Sequence, residues 1–321
     1  MDRAGTLIGG KYVLMEIAGQ GGMATVWRAE TRGVGDFRRD IAVKRILPEF
    51  IADEQFLTMF IEEARVCSQL QHPNIVQVHD FGKDDTDRYY LVMEWVEGLD
   101  LRRLVRAFRA THRLFPWPIA AAIGVEMLRG LSAAHERSEG PVIHRDINPF
   151  NVMVSTNGVV KLTDFGLSRA MDRRRITQPG IVKGKLAYLA PEFTLGAPPS
   201  PQSDLFAVGV VLWEMLAGRG LFTGETDVDV YLGIKELRIP PLKQLRVDLP
   251  VQLCNTVQRA LEKAPLARFG SADEMLLSLT TILRGVKDRT DERAVGSTVR
   301  KARELLASIA PPPLPGRRSA R

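Results

Sequence analysis

Three short runs of residues have the types and spacing to handle a phosphate ester. Gly19-Gln20-Gly21-Gly22 stands between two stretches of strand-forming residues. Glycines let a backbone approach a ligand closely, and the freed N–H groups can face phosphate oxygens. Alone, such a run is more often a plain hairpin turn. Lys44 closes Ile41-Ala42-Val43-Lys44, flanked by residues apolar enough to be buried. A lysine at a strand end is ordinarily a solvated surface charge. The third run, His144-Arg145-Asp146-Ile147-Asn148-Pro149-Phe150-Asn151, is followed by Asp164-Phe165-Gly166. A lone loop aspartate is usually a turn or capping residue. Here Asp146, Asn151 and Asp164 offer a proton acceptor and oxygen ligands suited to a hard cation such as Mg²⁺.

These groups need elements to position them. Residues 12–17, 24–30 and 40–46 are β-rich and separated by glycine-containing turns. Residues 54–70 read as a helix, with Phe56, Met59, Phe60, Ala64 and Cys67 at helical spacing, ended by Pro73. Two more strands are expected at 75–79 and 89–95, joined by a polar turn at 83–88. Beyond Gly98 the pattern turns helical: 118–139, a nearly all-apolar 202–216, and amphipathic 251–263 and 272–283. Short strands at 152–155 and 159–162 flank Asn157-Gly158, a hairpin turn signal. The expected architecture is a small β-rich lobe, a larger helical lobe and a crevice between them. Residues 288–321, with several arginines and Pro311-Pro312-Pro313, read as a basic, partly disordered tail with one short helix at 294–308.

Bulk properties narrow the function classes. The chain has 321 residues, 45% of them hydrophobic and 26% charged, which is enough for one large or two smaller globular domains. The net charge of +6 is mild and scattered, with no concentrated basic stripe before the tail for nucleic acid. The two cysteines, Cys67 and Cys254, lie far apart without metal-ligand or disulfide spacing. No apolar run reaches the ~18 residues of a membrane-spanning helix, and no signal peptide is evident, so a cytoplasmic location is expected.

Taken together the runs resemble the protein-kinase family. Gly19 to Val26 is similar to its glycine-rich loop, with Ala24 at the third glycine position. Ile41 to Lys44 is similar to the lysine strand, and residues 144–151 and 164–166 to its catalytic and metal-binding motifs. Ala190-Pro191-Glu192 matches the end of its activation segment. Pro149, Gly21-Gly22-Met23-Ala24 and Tyr188-Leu189-Ala190-Pro191-Glu192 look like the bacterial Hanks-type serine/threonine branch. The resemblance runs from about residue 11 to about residue 283.

It implies an α+β bilobal fold, with residues 1–97 as the ATP-binding lobe and 98–287 as the catalytic lobe. It implies ATP and Mg²⁺, a protein Ser/Thr substrate, and autophosphorylation between two copies, in bacterial signalling. The rival reading is an ATP-binding pseudokinase or scaffold. A small-molecule kinase is disfavoured by the full activation segment. By the same resemblance Gly19, Gln20, Gly21 and Gly22 cover the phosphates and Lys44 binds them. Glu63, on the inward face of its helix ahead of its neighbour Glu62, holds Lys44. Ala18, Val26, Ala42 and Met153 sandwich the adenine, and Met93 is the gatekeeper. Glu94 and Val96 supply backbone groups at the hinge, and Asp100 reaches the ribose. Asp146 orients the hydroxyl, and Asn151 and Asp164 hold the metal. Asp204 braces the catalytic loop, and Arg268 pairs with Glu192.

Three positions depart from the pattern. Asn148 stands where such kinases usually have a lysine at the transferred phosphoryl group, and Lys185 where they usually have a threonine. The two positions should be neighbours, so Lys185 is expected to reach toward Asp146 and the γ-phosphate in place of the missing charge, the alternative being that it points to solvent beside the basic activation segment. Phe150 replaces a glutamate common in kinases that prefer basic substrates. For regulation, phosphate on Thr177 would add charge for Arg145 to pair with, ordering the activation segment.

Overall fold

The computed structural model describes residues 2–21, 24–33, 35, 37–51, 53–165 and 185–309. Its first part is a six-stranded antiparallel sheet: β1 (Leu7–Ile8), β2 (Tyr12–Gln20), β3 (Ala24–Arg32), β4 (Arg38–Ile46), β5 (Val78–Lys83) and β6 (Tyr89–Glu94), in the order β1-β2-β3-β4-β6-β5. Helix α1 (Glu54–Ser68) is inserted between β4 and β5, its first turn capped by Asp53, which accepts from the Phe56 N–H.

Strand parity divides the sheet. Successive side chains point to opposite faces. Ile41 and Val43 of β4 join Tyr12, Leu14, Trp27 and Val92 on the outer face. Ala42 and Ile46 join Phe56, Phe60, Leu91 and Met93 between the sheet and α1. Lys44 shares the parity of Ala42 and Ile46, so it enters the inner face and meets α1. Arg45 goes outward, where its guanidinium is held by Asp2 at 3.1 Å and Asp84 at 2.5 Å.

The expected strand at 75–79 is displaced. Ile75 and Val76 are buried as the chain passes between the lobes, Ile75 bridging in parallel to Leu162 and packing in the lower core. The ladder with β6 starts only at Val78. Their β-branched character was legible, but burial between the lobes competes with sheet pairing.

The second part begins with β7 (Gly98–Asp100), α2 (Leu101–Ala110) and α3 (Trp117–His135), then β8 (Val152–Ser155) and β9 (Val160–Leu162). Strands β7, β8 and β9 form a small sheet in that order. After residue 185 come α4 (Pro201–Ala217), α5 (Asp227–Glu236), α6 (Leu242–Leu245), α7 (Val251–Ala260), α8 (Ala272–Arg284) and α9 (Glu292–Ile309). Helix α4 starts at a reciprocal Ser200–Ser203 capping box and is apolar almost all round, as befits a helix with neighbours on every side. Each fully buried Leu, Val or Phe in this core contributes roughly 1.5–3 kcal/mol.

The C-terminal segment corrects an expectation. The helix expected at 294–308 is present, over Glu292–Ile309, but instead of lying in a solvated tail it is docked on α2, β7, β8 and α3. Val295, Val299 and Ala302 are buried. A Cβ at Gly158 would overlap the backbone of Glu292, and one at Gly296 would lie 2.5 Å from the Thr156 carbonyl. Glycine on both sides therefore lets α9 lie directly on the β8–β9 hairpin. Among the described residues no helix is long and apolar enough to cross a membrane.

Candidate active site

The sheet and the β7–β9 layer face each other across a cavity of about 750 Å³, within the range of nucleotide-sized sites. Ala18, Gly19, Val26, Ala42, Met93, Glu94, Val96, Asp100, Met153 and Asp164 all border it. Register explains the roof: Ala42 pairs with Met93, and Val26 with Lys44, so these side chains share the inner face. Met153 rises from the floor opposite Asp100 on β7. Gln20 and Gly21 lie at the exposed tip of the β2–β3 hairpin, with the Gly21 N–H donating to the Ala24 carbonyl at 2.9 Å. Gly22 lies outside the described residues, as do Gly166, Ser168 and Thr177.

Two of the cavity's polar residues already have partners. The Glu94 carboxylate accepts from the Gln77 N–H and from Lys161, both at 2.7 Å. Asp100 caps α2 by accepting from the Arg103 N–H at 2.8 Å, so a ribose would have to share that carboxylate.

At the inner end of the cavity Lys44 lies between two carboxylates, Glu63 at 3.1 Å and Asp164 at 2.6 Å. Helical phase selects Glu63: Phe60, Ala64 and Cys67 are the buried stripe of α1, and Glu63 is buried with them while Glu62 is exposed. Burial disfavours the charge on Lys44, but Asp164 and Glu63 more than reverse this and hold its pKa above the ordinary lysine value. Burial likewise raises the Asp164 carboxyl, and Lys44 overcomes it, leaving Asp164 below the usual carboxylate value.

The catalytic-loop residues are fixed from beneath. The Asp204 carboxylate, on α4, accepts from the backbone N–H groups of His144 at 2.8 Å and Arg145 at 2.9 Å, and meets the His135 ring at 2.9 Å. Arg145 and Asp164 adopt positive φ, 66° and 63°, a conformation L-residues rarely take and one common at functional sites. His144 packs on Phe165 with ring centroids 4.3 Å apart, and the Phe165 carbonyl lies 3.5 Å from the Cys67 thiol. Burial lowers the pKa of His144, Asp204 and Asp146 opposing. A neutral ring accepting from the Asp146 N–H and donating to the Thr163 carbonyl satisfies both nitrogens.

Asp146 collects three side chains. Asn151 Nδ2 donates to its Oδ2 at 3.0 Å, Asn148 Nδ2 to its Oδ1 at 3.1 Å, and Lys185 Nζ to its Oδ2 at 2.6 Å. The structure thus brings together Lys44, Glu63 and Asp164 in one group, and Asp146, Asn151 and Lys185 in another. Arg145 lines a small recess with Asp146 and Lys185. Farther off, Arg268 grips Glu192 through two hydrogen bonds of 2.8 and 2.6 Å, both groups buried.

For a metal the local donors are the carboxylate of Asp164 and the amide oxygen of Asn151. An oxygen-only pair suits a hard cation that takes few protein ligands and completes its shell with phosphates and water. No cluster of three or more His, Cys, Asp or Glu ligands occurs among the described residues.

Residues that sequence reasoning missed also border the cavity: Val76, Thr163, and Arg303, Leu306 and Ala307 of α9. The β-branched Val76 gave a local signal. The α9 residues gave none, because they reach the cleft only through tertiary packing.

This arrangement agrees with comparison to known proteins. Residues 12–277 match the family model described as protein kinase domain. The chain belongs to that family. A probable serine/threonine-protein kinase of Clostridium perfringens is 36% identical over 87% of this chain and 39% of its own length. The tyrosine-protein kinase MasK of Myxococcus xanthus is 35% identical over 85% of this chain and 43% of its own. The crystal structure of the PknI kinase domain of Mycobacterium tuberculosis superposes with a TM-score of 0.65 at 27% identity, covering 88% of this chain and 99% of that domain. The chain spans less than half the length of these two sequence relatives.

Proposed function

We propose that this chain transfers the γ-phosphoryl group of ATP to a serine or threonine hydroxyl of a protein, in bacterial signalling. The observation that carries the reading is the pairing of two charged groups across one nucleotide-sized cleft: Lys44 with Glu63 and Asp164 above, Asp146 with Asn151 below.

Residues 1–97 supply the adenine and phosphate contacts, and 98–287 the catalytic loop. Lys44 neutralises the phosphates and is kept charged by its carboxylates. Asn151 and Asp164 would hold Mg²⁺, which when bound offsets charge on the phosphate oxygens. The substrate hydroxyl oxygen bonds to the γ-phosphorus. The bond from that phosphorus to the bridging oxygen breaks, its electron pair leaving on ADP, and the hydroxyl proton passes to Asp146. Asn148 and Asn151 hold Asp146 in place for this. Free thiols at Cys67 and Cys254 suit a reducing, cytoplasmic setting. Phosphorylation of Thr177, by a second copy of the chain, belongs to the same reading.

Intact-mass measurement after incubation with Mg-ATP and a generic protein acceptor tests it. Wild type should add phosphate to itself or the acceptor, and Asp146→Asn should be slower by about 10³-fold. Hydrolysis of the product should yield phosphoserine or phosphothreonine; phosphotyrosine would move the chain toward the tyrosine-kinase class in which MasK is named. Nucleotide binding without any transfer would sink the proposal.

A further inference from the structure

Phosphoryl transfer passes through a state in which charge spreads over the phosphoryl oxygens, and a cation at that point lowers the barrier. Two nearby side chains are committed elsewhere. Lys44 is 7% exposed and held by Glu63 and Asp164 on the far side of the cleft. Asn148 is fully buried and neutral. Its amide N–H group donates to the Asp146 carbonyl at 2.8 Å and carboxylate at 3.1 Å, and its oxygen accepts from the Phe150 N–H at 2.9 Å. It shapes the loop and has nothing to offer an anion.

Lys185 differs on each count. Its ammonium lies 2.6 Å from Asp146 Oδ2 with the side chain 38% exposed. One of its three N–H donors engages Asp146, which leaves others for a second oxygen. Its backbone is anchored behind: the Tyr188 N–H donates to the Lys185 carbonyl at 3.2 Å, and the Tyr188 hydroxyl donates to Glu214 of α4 at 2.7 Å.

We propose that Lys185 is the catalytic cation at the point of transfer, meeting the γ-phosphoryl group while retaining Asp146. The charge that stabilises the reacting phosphoryl is then carried by the segment entering the Leu186–Tyr188 turn, not by the catalytic loop. Any change that repositions that segment alters the chemical step itself. The inference rests on the phosphoryl-transfer reading above.

The test compares wild type, Lys185→Ala, Lys185→Arg and the exchange Asn148→Lys with Lys185→Thr. Two quantities are read: steady-state kcat and KM for ATP, and calorimetric affinity for Mg-ADP with and without aluminium fluoride, which occupies the place of the transferred phosphoryl. Lys185→Ala is expected to lose about 10²-fold in kcat, with KM for ATP little changed. It should bind ADP like wild type and lose most of the tightening that aluminium fluoride gives. Lys185→Arg should recover part of both, and the exchange should recover more than Lys185→Thr alone. Activity of Lys185→Ala equal to or above wild type would show that Lys185 merely occupies Asp146 and would overturn the inference, as would unchanged tightening by aluminium fluoride. Those results, with wild type active, leave the kinase reading standing. Wild type that binds nucleotide and transfers nothing overturns both.

Discussion

The two lysines that face the catalytic cleft are held in opposite ways. Lys44 belongs to a strand, is enclosed, and is clamped by carboxylates from two other elements. Lys185 stands at the mouth of a short turn, is partly open to solvent, and has one carboxylate partner among the described residues. The first arrangement is built into the sheet and α1. The second rests on a residue that leads into the Leu186–Tyr188 turn. Binding charge and reaction charge are thus assigned to parts of the chain with different means of support.

Substitution at the enclosed site should have the larger effect. Lys44→Met leaves Glu63 and Asp164 facing each other without a cation and should lower kcat/KM for ATP by roughly 10²–10³-fold, with a fall in Tm. A loss confined to kcat at unchanged Tm would erase the contrast with Lys185. Glu63→Gln keeps the shape but weakens the clamp. Loss of a charged hydrogen-bond partner costs about 1.5–3 kcal/mol, so roughly tenfold or more in kcat/KM is expected. Kinetic assay at saturating magnesium checks this.

The smallest effect concerns the outer face of the same strand. Burial pushes the Asp84 carboxyl up, but hydrogen bonds from Thr86, the Arg88 backbone and Arg45 more than reverse this and leave it at about 2. A carboxyl depressed in the folded state stabilises it above the unfolded pKa, and that stability is lost as pH falls through the folded value. The urea midpoint of wild type should therefore fall between about pH 4 and pH 2. Asp84→Asn should start lower at neutral pH and converge with wild type in acid. Parallel curves would remove Asp84 from the account.

How much could be read beforehand follows from the same contrast. Lys44, Asp146, Asn151 and Asp164 were legible because their spacing and residue types are tied to one chemistry. Glu63 was legible by helical phase, since α1 buries the stripe it borders. The approach of Lys185 to Asp146 was legible only as two coupled departures, Asn148 and Lys185. Helix α2 was legible in the residues themselves: Leu101, Leu104, Ala107 and Phe108 recur at helical spacing, with arginines on the other face. The docking of α9 was not legible at all. Its buried positions are few and small, Val295, Gly296, Val299 and Ala302, and the elements it packs on, α2, α3, β7 and β8, all lie far earlier in the chain. Only the folded lobe reveals that Gly158 and Gly296 were sized for each other.

Helix α9 has one more consequence. It lies beyond residue 277, where the match to the family ends, yet Arg303 pairs with Glu97 at 2.6 Å beside the hinge. With Leu306 and Ala307 it lines the cavity between the sheet and the β7–β9 layer. A compound grown outward past Val96 would therefore meet side chains of α9, beyond residues 12–277 that match the kinase-domain model.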